Sequence, residues 1–418
     1  MLLGCCGIAA LLIFQAVEIW IANRRMESGR IDLMQSGAEL LPGNAEAWDR
    51  VGRYRQLDFA NPDANQAVQD YLKAVGDDPY SSFYWLDLAS GYEDLGDMTK
   101  ARAAYDRAEA VYPISALVAW DYGNFLVRAG NNQAGYGKVR TAVSSDPKLL
   151  PLAISRTWRS GESVEDLLNE ALPPTREAYL QALTFFTQIR QVDAALQVWQ
   201  RLVSLHQRVA IADTIAFQDI LIANDRGEDE RRIWREALGM AETSVSEPAG
   251  HSLIWNGNFA SDFVDGGLDW RWAPVAGLSA SFDSPAGTAA GRSIRVDFGG
   301  GSNIELGQPS QYVPVESRRS YHFRGWIRTE EITTESGVRF FINDPNHLNA
   351  VNFTSDNLTG THPWTAVDGE LTTGPATHFL WVRLMRAPSR LFENKVSGSA
   401  WISNISLVPA AESEQKAP

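Results

Sequence analysis

The sequence predicts a multidomain chain in which an all-α superhelix of paired helices is followed by an all-β sandwich, behind one apolar N-terminal helix. Three observations carry this. Pro79, Pro113 and Pro147 recur at a spacing of 34 residues through the first half. Beyond about residue 250 the apolar period changes from that of a helix to the two-residue alternation of strands. Leu2 to Ala22 is almost wholly apolar and, at helical rise, just long enough to cross a bilayer core. The length of 418 residues suits roughly two or three domains, and a hydrophobic share of 44% excludes general disorder. A formal net charge of -14 excludes broad binding of nucleic acid or anionic lipid, which needs a basic face.

Residues 1–24 are the expected transmembrane anchor. Gln15 and Glu18 weaken its last turns, and Trp20 with Arg24 and Arg25 forms an interfacial anchor. A cleaved signal peptide is the alternative, although no basic stretch precedes the apolar run and no small-x-small site follows it. The arginines after the span, Arg24, Arg25 and Arg30, would by charge alone hold the body in the cytoplasm. The only cysteines, Cys5 and Cys6, are adjacent within this run, so no disulfide framework or zinc cluster is expected in the folded body.

Each repeated proline is preceded at one offset by a small residue: Ala74, Ala108 and Ala142. In the clearest unit Trp85, Leu88, Ala89, Tyr92, Gly96, Ala101, Tyr105, Ala108 and Pro113 alternate large and small positions. Small residues let paired helices approach, large aromatics fill the gaps, and proline stops the second helix. This pattern resembles the tetratricopeptide repeat, with five or six hairpins over residues 31–245 and a degenerate pair at 148–174. The resemblance implies a superhelix whose inner face, lined by the first helix of each pair, binds a protein partner. In that register the groove presents Arg53, Glu93, Trp120, Asn124, Arg128 and Thr184, with Phe83, Leu86 and Leu180 beside them.

Helical periodicity ends near Met240, and Glu242 to His251 is a polar connection. From 251 to 409 short alternating runs follow at 293–298, 302–306, 311–315, 321–328, 337–342, 379–386 and 400–407, which is the pattern of an antiparallel sandwich. Asn256-Gly257-Asn258-Phe259, Gly267-Leu268-Asp269-Trp270, Tyr321 to Arg328, His362-Pro363-Trp364-Thr365 and Ala400 to Leu407 together resemble the jelly-roll carbohydrate-binding modules attached to xylanases and cellulases. The resemblance implies sugar rings stacked on aromatics of one sheet, with polar neighbours fixing the hydroxyls. The glycan-binding candidates are Asn303, Glu305, Arg324, Trp326, Arg339, Phe341, Trp381 and Arg383. Ser403 and Asn404 stand where such modules often carry aspartates, which argues against a structural calcium. Residues 410–418 read as a disordered tail.

There is no phosphate-binding glycine loop, HExxH or nucleophile elbow, and Gly299-Gly300-Gly301 reads as a hairpin turn. The histidines share no ligand spacing, so no metal, cofactor or catalytic residue is expected. The combination is similar to accessory proteins of bacterial exopolysaccharide or O-antigen assembly and export. It implies a non-enzymatic scaffold, single-pass in the inner membrane with its body in the periplasm, where the repeats hold a protein and the sandwich contacts a polysaccharide; no nucleic-acid partner is expected. The alternative is a pure protein–protein assembly factor whose sandwich has lost sugar binding.

Overall fold

Three of the helical hairpins end just before a proline, which cannot donate the next helical hydrogen bond. The computed structural model describes residues 2–41, 43–161, 163–283 and 292–410, and the side chains of all of these but 2–7 and 9. By packing, the chain divides into two units, Met1–Pro174 and Thr175–Pro418.

The first unit holds α1 (Leu2–Met26), α2 (Ile31–Glu39), α3 (Ala45–Gln56), α4 (Ala64–Asp77), α5 (Ser82–Asp94), α6 (Met98–Val111), α7 (Ala116–Arg128), α8 (Asn132–Ser145), α9 (Leu150–Arg159) and the short α10 (Val164–Asp166). The last continues as a π-helical turn, Leu167–Ala171, the form taken by the degenerate pair. Pro79, Pro113 and Pro147 stand just past the ends of α4, α6 and α8. Ala74, Ala108 and Ala142 are fully buried. Side-chain caps open α4 and α6: Asp63 accepts from the Gln66 amide at 2.9 Å and Asp97 from the Lys100 amide at 3.1 Å. Close approach is strict at Gly123, where a Cβ would lie 2.9 Å from the Gly135 carbonyl oxygen. Tyr105 and Tyr122 stack at 5.3 Å between successive hairpins, in a core that includes Tyr71 and Phe125.

The apolar N-terminal run is helical, as α1, but the expected span is not found. Among the described residues no helix is long and apolar enough to cross a membrane. Gln15 and Glu18 interrupt the run and Arg24 and Arg25 follow it in α1, and the side chains of residues 2–7 and 9 lie outside the description. Leu11, Leu12, Ile13, Phe14 and Trp20 are each more than half exposed. Of the expected tail, 411–418 lies outside the described residues.

The second unit opens with two more hairpins, α11 (Arg176–Gln188) with α12 (Val192–Ser204) and α13 (Ala212–Ala223) with α14 (Gly227–Met240). Among the described residues nine strands follow: β1 (Leu278–Asp283), β2 (Ser293–Gly299), β3 (Ser310–Pro314), β4 (Ser320–Ile332), β5 (Arg339–Asn343), β6 (Asn352–Thr354), β7 (Gly360–Thr372), β8 (Phe379–Met385) and β9 (Ser397–Pro409). They form a five-stranded sheet in the order β1-β2-β9-β4-β7 and a four-stranded sheet in the order β3-β8-β5-β6. All strand pairs are antiparallel. Val296, Phe323 and Ile402 of the first sheet share one buried core with Val313, Phe340 and Val382 of the second. The connection 242–251 lies inside this unit, because α13 and α14 pack on the sheets. Trp234 meets Trp255 edge-on at 5.9 Å. Gly267, at a φ of +55, comes so close to Gln218 and Trp234 that any Cβ there would collide with both.

Two strand-level expectations are corrected. Ser302 to Leu306 is not a ladder strand: only Leu306 bridges across, to Arg386. Asn303 is spent on clamping Ser389, donating to its carbonyl and accepting from its amide, each at 2.8 Å. Gly299-Gly300-Gly301 is not a hairpin turn either, since β2 pairs with β1 and β9 and the chain leaves the five-stranded sheet after Gly299.

Candidate functional site

Five of the six groove residues, all but Thr184, lie in the first unit, and they bind their neighbours one repeat on. Arg53 Nε donates to Asp87 at 2.7 Å, across 34 residues. Gln56 donates to Ser90 at 3.0 Å, Arg128 pairs with Glu93 at 2.7 Å, and Arg156 donates to Asn124 at 3.0 Å. These bonds form a polar ladder from α3 through α5 and α7 to α9. Asp49 sits beneath it, 3.1 Å from Arg53, and burial with the charge of Asp87 raises its carboxyl above the ordinary range. Trp120 is buried, with Arg156 5.2 Å over its ring, so the ring is packed rather than offered to a partner. Arg53 also borders a cleft of about 540 Å³ with Tyr54, Leu57 and Phe59. Thr184 is in the second unit, in a cleft of about 360 Å³ with Leu180, Gln181 and Asp213.

The glycan candidates divide between the two sheets. In-register partners point to the same face of a sheet, and Tyr312 opposite Trp381, Phe341 opposite Arg383 and Arg339 opposite Met385 place one set on the outer face of the four-stranded sheet. Arg339, Phe341, Trp381 and Arg383 therefore come together. Arg324 and Trp326 do not: they lie on β4, in the five-stranded sheet, where Arg324 pairs with Asp368 at 2.6 Å. Asn303 is held by Ser389, whereas Glu305 is exposed and acts electrostatically on Arg383.

On the four-stranded face, rings and guanidiniums succeed one another. Arg271 lies 5.2 Å over Tyr312, and Tyr312 stacks on Trp381 at 5.5 Å and 13°. Arg383 follows, 3.7 Å from the Trp381 centroid and 4.8 Å from that of Phe341. Its Nη2 donates to Asn343 at 3.1 Å. Beside this row is a cleft of about 480 Å³, walled by Asp219, Ile222 and Ala223 of α13 and floored by Tyr312 and Trp381. The wall is clamped at the α13–α14 turn, where Asp225 bonds His378 at 2.7 Å and Asn346 at 3.0 Å. Sequence reasoning missed Tyr312 and Arg271. The alternation of 311–315 marks Tyr312 as outward, but nothing local says that β3 lies beside β8.

The two outer faces differ in how their arginines are satisfied. On the five-stranded sheet Arg295 has Asp297, Arg324 has Asp368 and Arg328 has Glu330, all within 3.0 Å. On the four-stranded face Arg271 pairs with Asp219 at 2.8 Å. Among the described residues no carboxylate comes within ion-pairing distance of Arg339 or Arg383. The Nε atoms of Arg271, Arg339 and Arg383 and the indole nitrogen of Trp381 are buried without a hydrogen-bond partner. Burial lowers the pKa of the Arg383 guanidinium, with Tyr312 and Glu305 opposing.

No protein-family model matches the chain, and no curated protein does. Among solved structures, two crystal structures of MamA are 16% and 15% identical, with TM-scores of 0.28 and 0.29. They match over 44% and 46% of this chain and 93% and 90% of their own. PilF of Pseudomonas aeruginosa is 14% identical, with a TM-score of 0.31 over 46% of this chain and 91% of its own. These likenesses take in less than half of the chain, and the repeat architecture described above rests on the hairpins themselves.

Proposed function

We propose that the protein is a non-enzymatic scaffold tethered to a membrane, whose helical repeats hold a protein partner and whose sandwich, of jelly-roll type, contacts a glycan. The outer face of the four-stranded sheet carries this reading: three aromatic rings on adjacent strands, beside a cleft, with the partly exposed Arg339 and Arg383 among them. The tether is supported by the exposed apolar side chains of α1, Leu11, Leu12, Ile13, Phe14 and Trp20, a surface that an apolar medium would cover. A body outside the cytoplasm, accessory to exopolysaccharide or O-antigen assembly and export, fits a glycan-contacting domain on a membrane anchor.

A glycan array probed with the full chain and with Trp381→Ala tests the central claim. Binding that the substitution abolishes supports it, and a blank array rejects it. Digestion of spheroplasts tests location: a body that resists protease until the membrane is lysed rules out the periplasmic placement. A second reading, an assembly factor whose sandwich is only a docking domain, is favoured by the packing of Trp234 on Trp255, which already uses the sandwich as a seat for helices. A blank array together with a captured partner protein would select it.

A further inference from the structure

The glycan reading leaves open what kind of sugar the face takes, and the unpaired cations bear on that. A neutral oligosaccharide needs aromatic surface and a few donors and acceptors, with no surplus of charge. The second unit is acidic from residue 251 onward, with 13 basic against 17 acidic side chains by count of the sequence. In such a background, arginines find carboxylates easily, as Arg295, Arg324 and Arg328 do on the opposite sheet. Arg339 and Arg383 have none, although they stand on neighbouring strands, Arg383 directly across from Phe341.

We infer that the outer face of the four-stranded sheet binds an acidic polysaccharide, with sugar carboxylates received by Arg339 and Arg383 and sugar rings packed along Tyr312, Trp381 and Phe341. The inference rests on the glycan reading above and narrows it. A guanidinium presents planar paired donors that match a carboxylate, and such charge-assisted bonds are about twice as strong as neutral ones. The depressed pKa of Arg383 is consistent with a cation waiting for its counter-ion, because an arriving anion would offset the cost of burial. Arg271, already paired with Asp219, stands beside the cleft, and Arg383 and Arg339 follow on the neighbouring strands β8 and β5. Glu305, the exposed carboxylate that acts on Arg383, would be repelled by such a chain and turn outward to solvent.

Titration calorimetry with the full chain tests this, using oligogalacturonate, alginate oligomers, xylohexaose and poly-glutamate as probes. The uronate oligomers are expected to bind at least about tenfold more tightly than xylohexaose, and to weaken as sodium chloride is raised to about 0.5 M. Arg339→Gln and Arg383→Gln are each expected to lower uronate affinity about tenfold or more while a single cooperative circular-dichroism melt, lowered by at most a few degrees, shows that each variant is folded. Arg324→Gln, on the other sheet, leaves it unchanged. Quenching of tryptophan fluorescence by the uronates, absent in Trp381→Phe, reports the site independently of the arginine variants. Xylohexaose binding equal to the uronates overturns the acidic preference and leaves the glycan reading standing. Binding of poly-glutamate as tight as that of the uronates overturns the sugar in favour of an acidic peptide. No binding by any saccharide overturns both.

Discussion

The guanidinium carbon of Arg383 lies 3.7 Å from the centroid of the Trp381 ring, while the other neighbour of that ring, Tyr312, is stacked on it at 5.5 Å. Trp381 thereby joins two strands that are far apart in the chain. Because it is half-buried, its loss removes contacts from the surface layer without opening the core beneath, which Leu380 and Val382 fill. Trp381→Ala is expected to cost about 1–2 kcal/mol, the sum of a ring pair and a cation–π contact. Urea unfolding measures it; a loss several times larger would mean that the ring supports the sheet itself.

Asp70 is fully buried and paired with Arg55, whose side chain is 11% exposed. Burial raises its carboxyl pKa even though Arg55 opposes the shift. Removing the arginine leaves the buried carboxylate only the more exposed Lys73, at 3.6 Å, so Arg55→Ala is expected to destabilise the protein by about 3 kcal/mol. The double change Arg55→Met with Asp70→Leu should cost much less. Equal losses in the single and double variants, by chemical denaturation, would exclude this account.

Gly123 and Gly135 face each other across the α7–α8 hairpin, each so near that a Cβ would stand 2.9 Å from the other's carbonyl oxygen. Gly123→Ala gains helix propensity but must push the backbones apart. Overpacking should dominate, with a net loss of about 1–3 kcal/mol. A melting temperature at or above that of the parent would show that the hairpin can spread freely.

Glu230 is fully buried with neither carboxylate oxygen hydrogen-bonded, and burial pushes its pKa well above the ordinary 4.5, with Arg271 opposing. The folded state therefore holds this proton more tightly than the unfolded chain does. Its contribution to stability is full below the unfolded carboxyl range and is lost as pH rises through the folded value. The melting temperature of the parent minus that of Glu230→Gln should fall steadily as pH is raised from about 4 to 8. A difference that stays constant across that range would place the carboxylate in contact with water.

The helical half was legible because each hairpin solves a local problem. Pro79, Pro113 and Pro147 mark helix ends, and Ala74, Ala108 and Ala142 mark the closest approaches, whatever lies beyond the next repeat. The strands were legible as alternation, and the exception is instructive. In Ser302 to Leu306, Ile304 and Leu306 are indeed buried and Glu305 exposed, so the period reported burial correctly while the ladder that usually accompanies it is missing. The candidate site was half legible for a related reason. Alternation sets Trp326 and Trp381 outward alike, but which sheet each strand joins depends on pairings such as β3 with β8 that no local pattern encodes. Of the groove candidates, Arg53, Asn124 and Arg128 are bonded to neighbouring hairpins, because facing positions one repeat apart are within reach of each other.

The edge-on contact of Trp234 with Trp255, and the glycine at 267 that makes room for it, bear on how such a chain can be inherited. A recombination breakpoint in the polar stretch 242–251 would sever a shared interior, leaving Trp255 and Leu268 of the transferred piece facing water. A breakpoint at Pro174 severs none of it, because the two helical pairs from Thr175 onward and the sheets form one compact unit. The piece of coding sequence that can move between genomes intact is therefore longer than the change in secondary structure suggests, and it carries the wall of its own cleft with it.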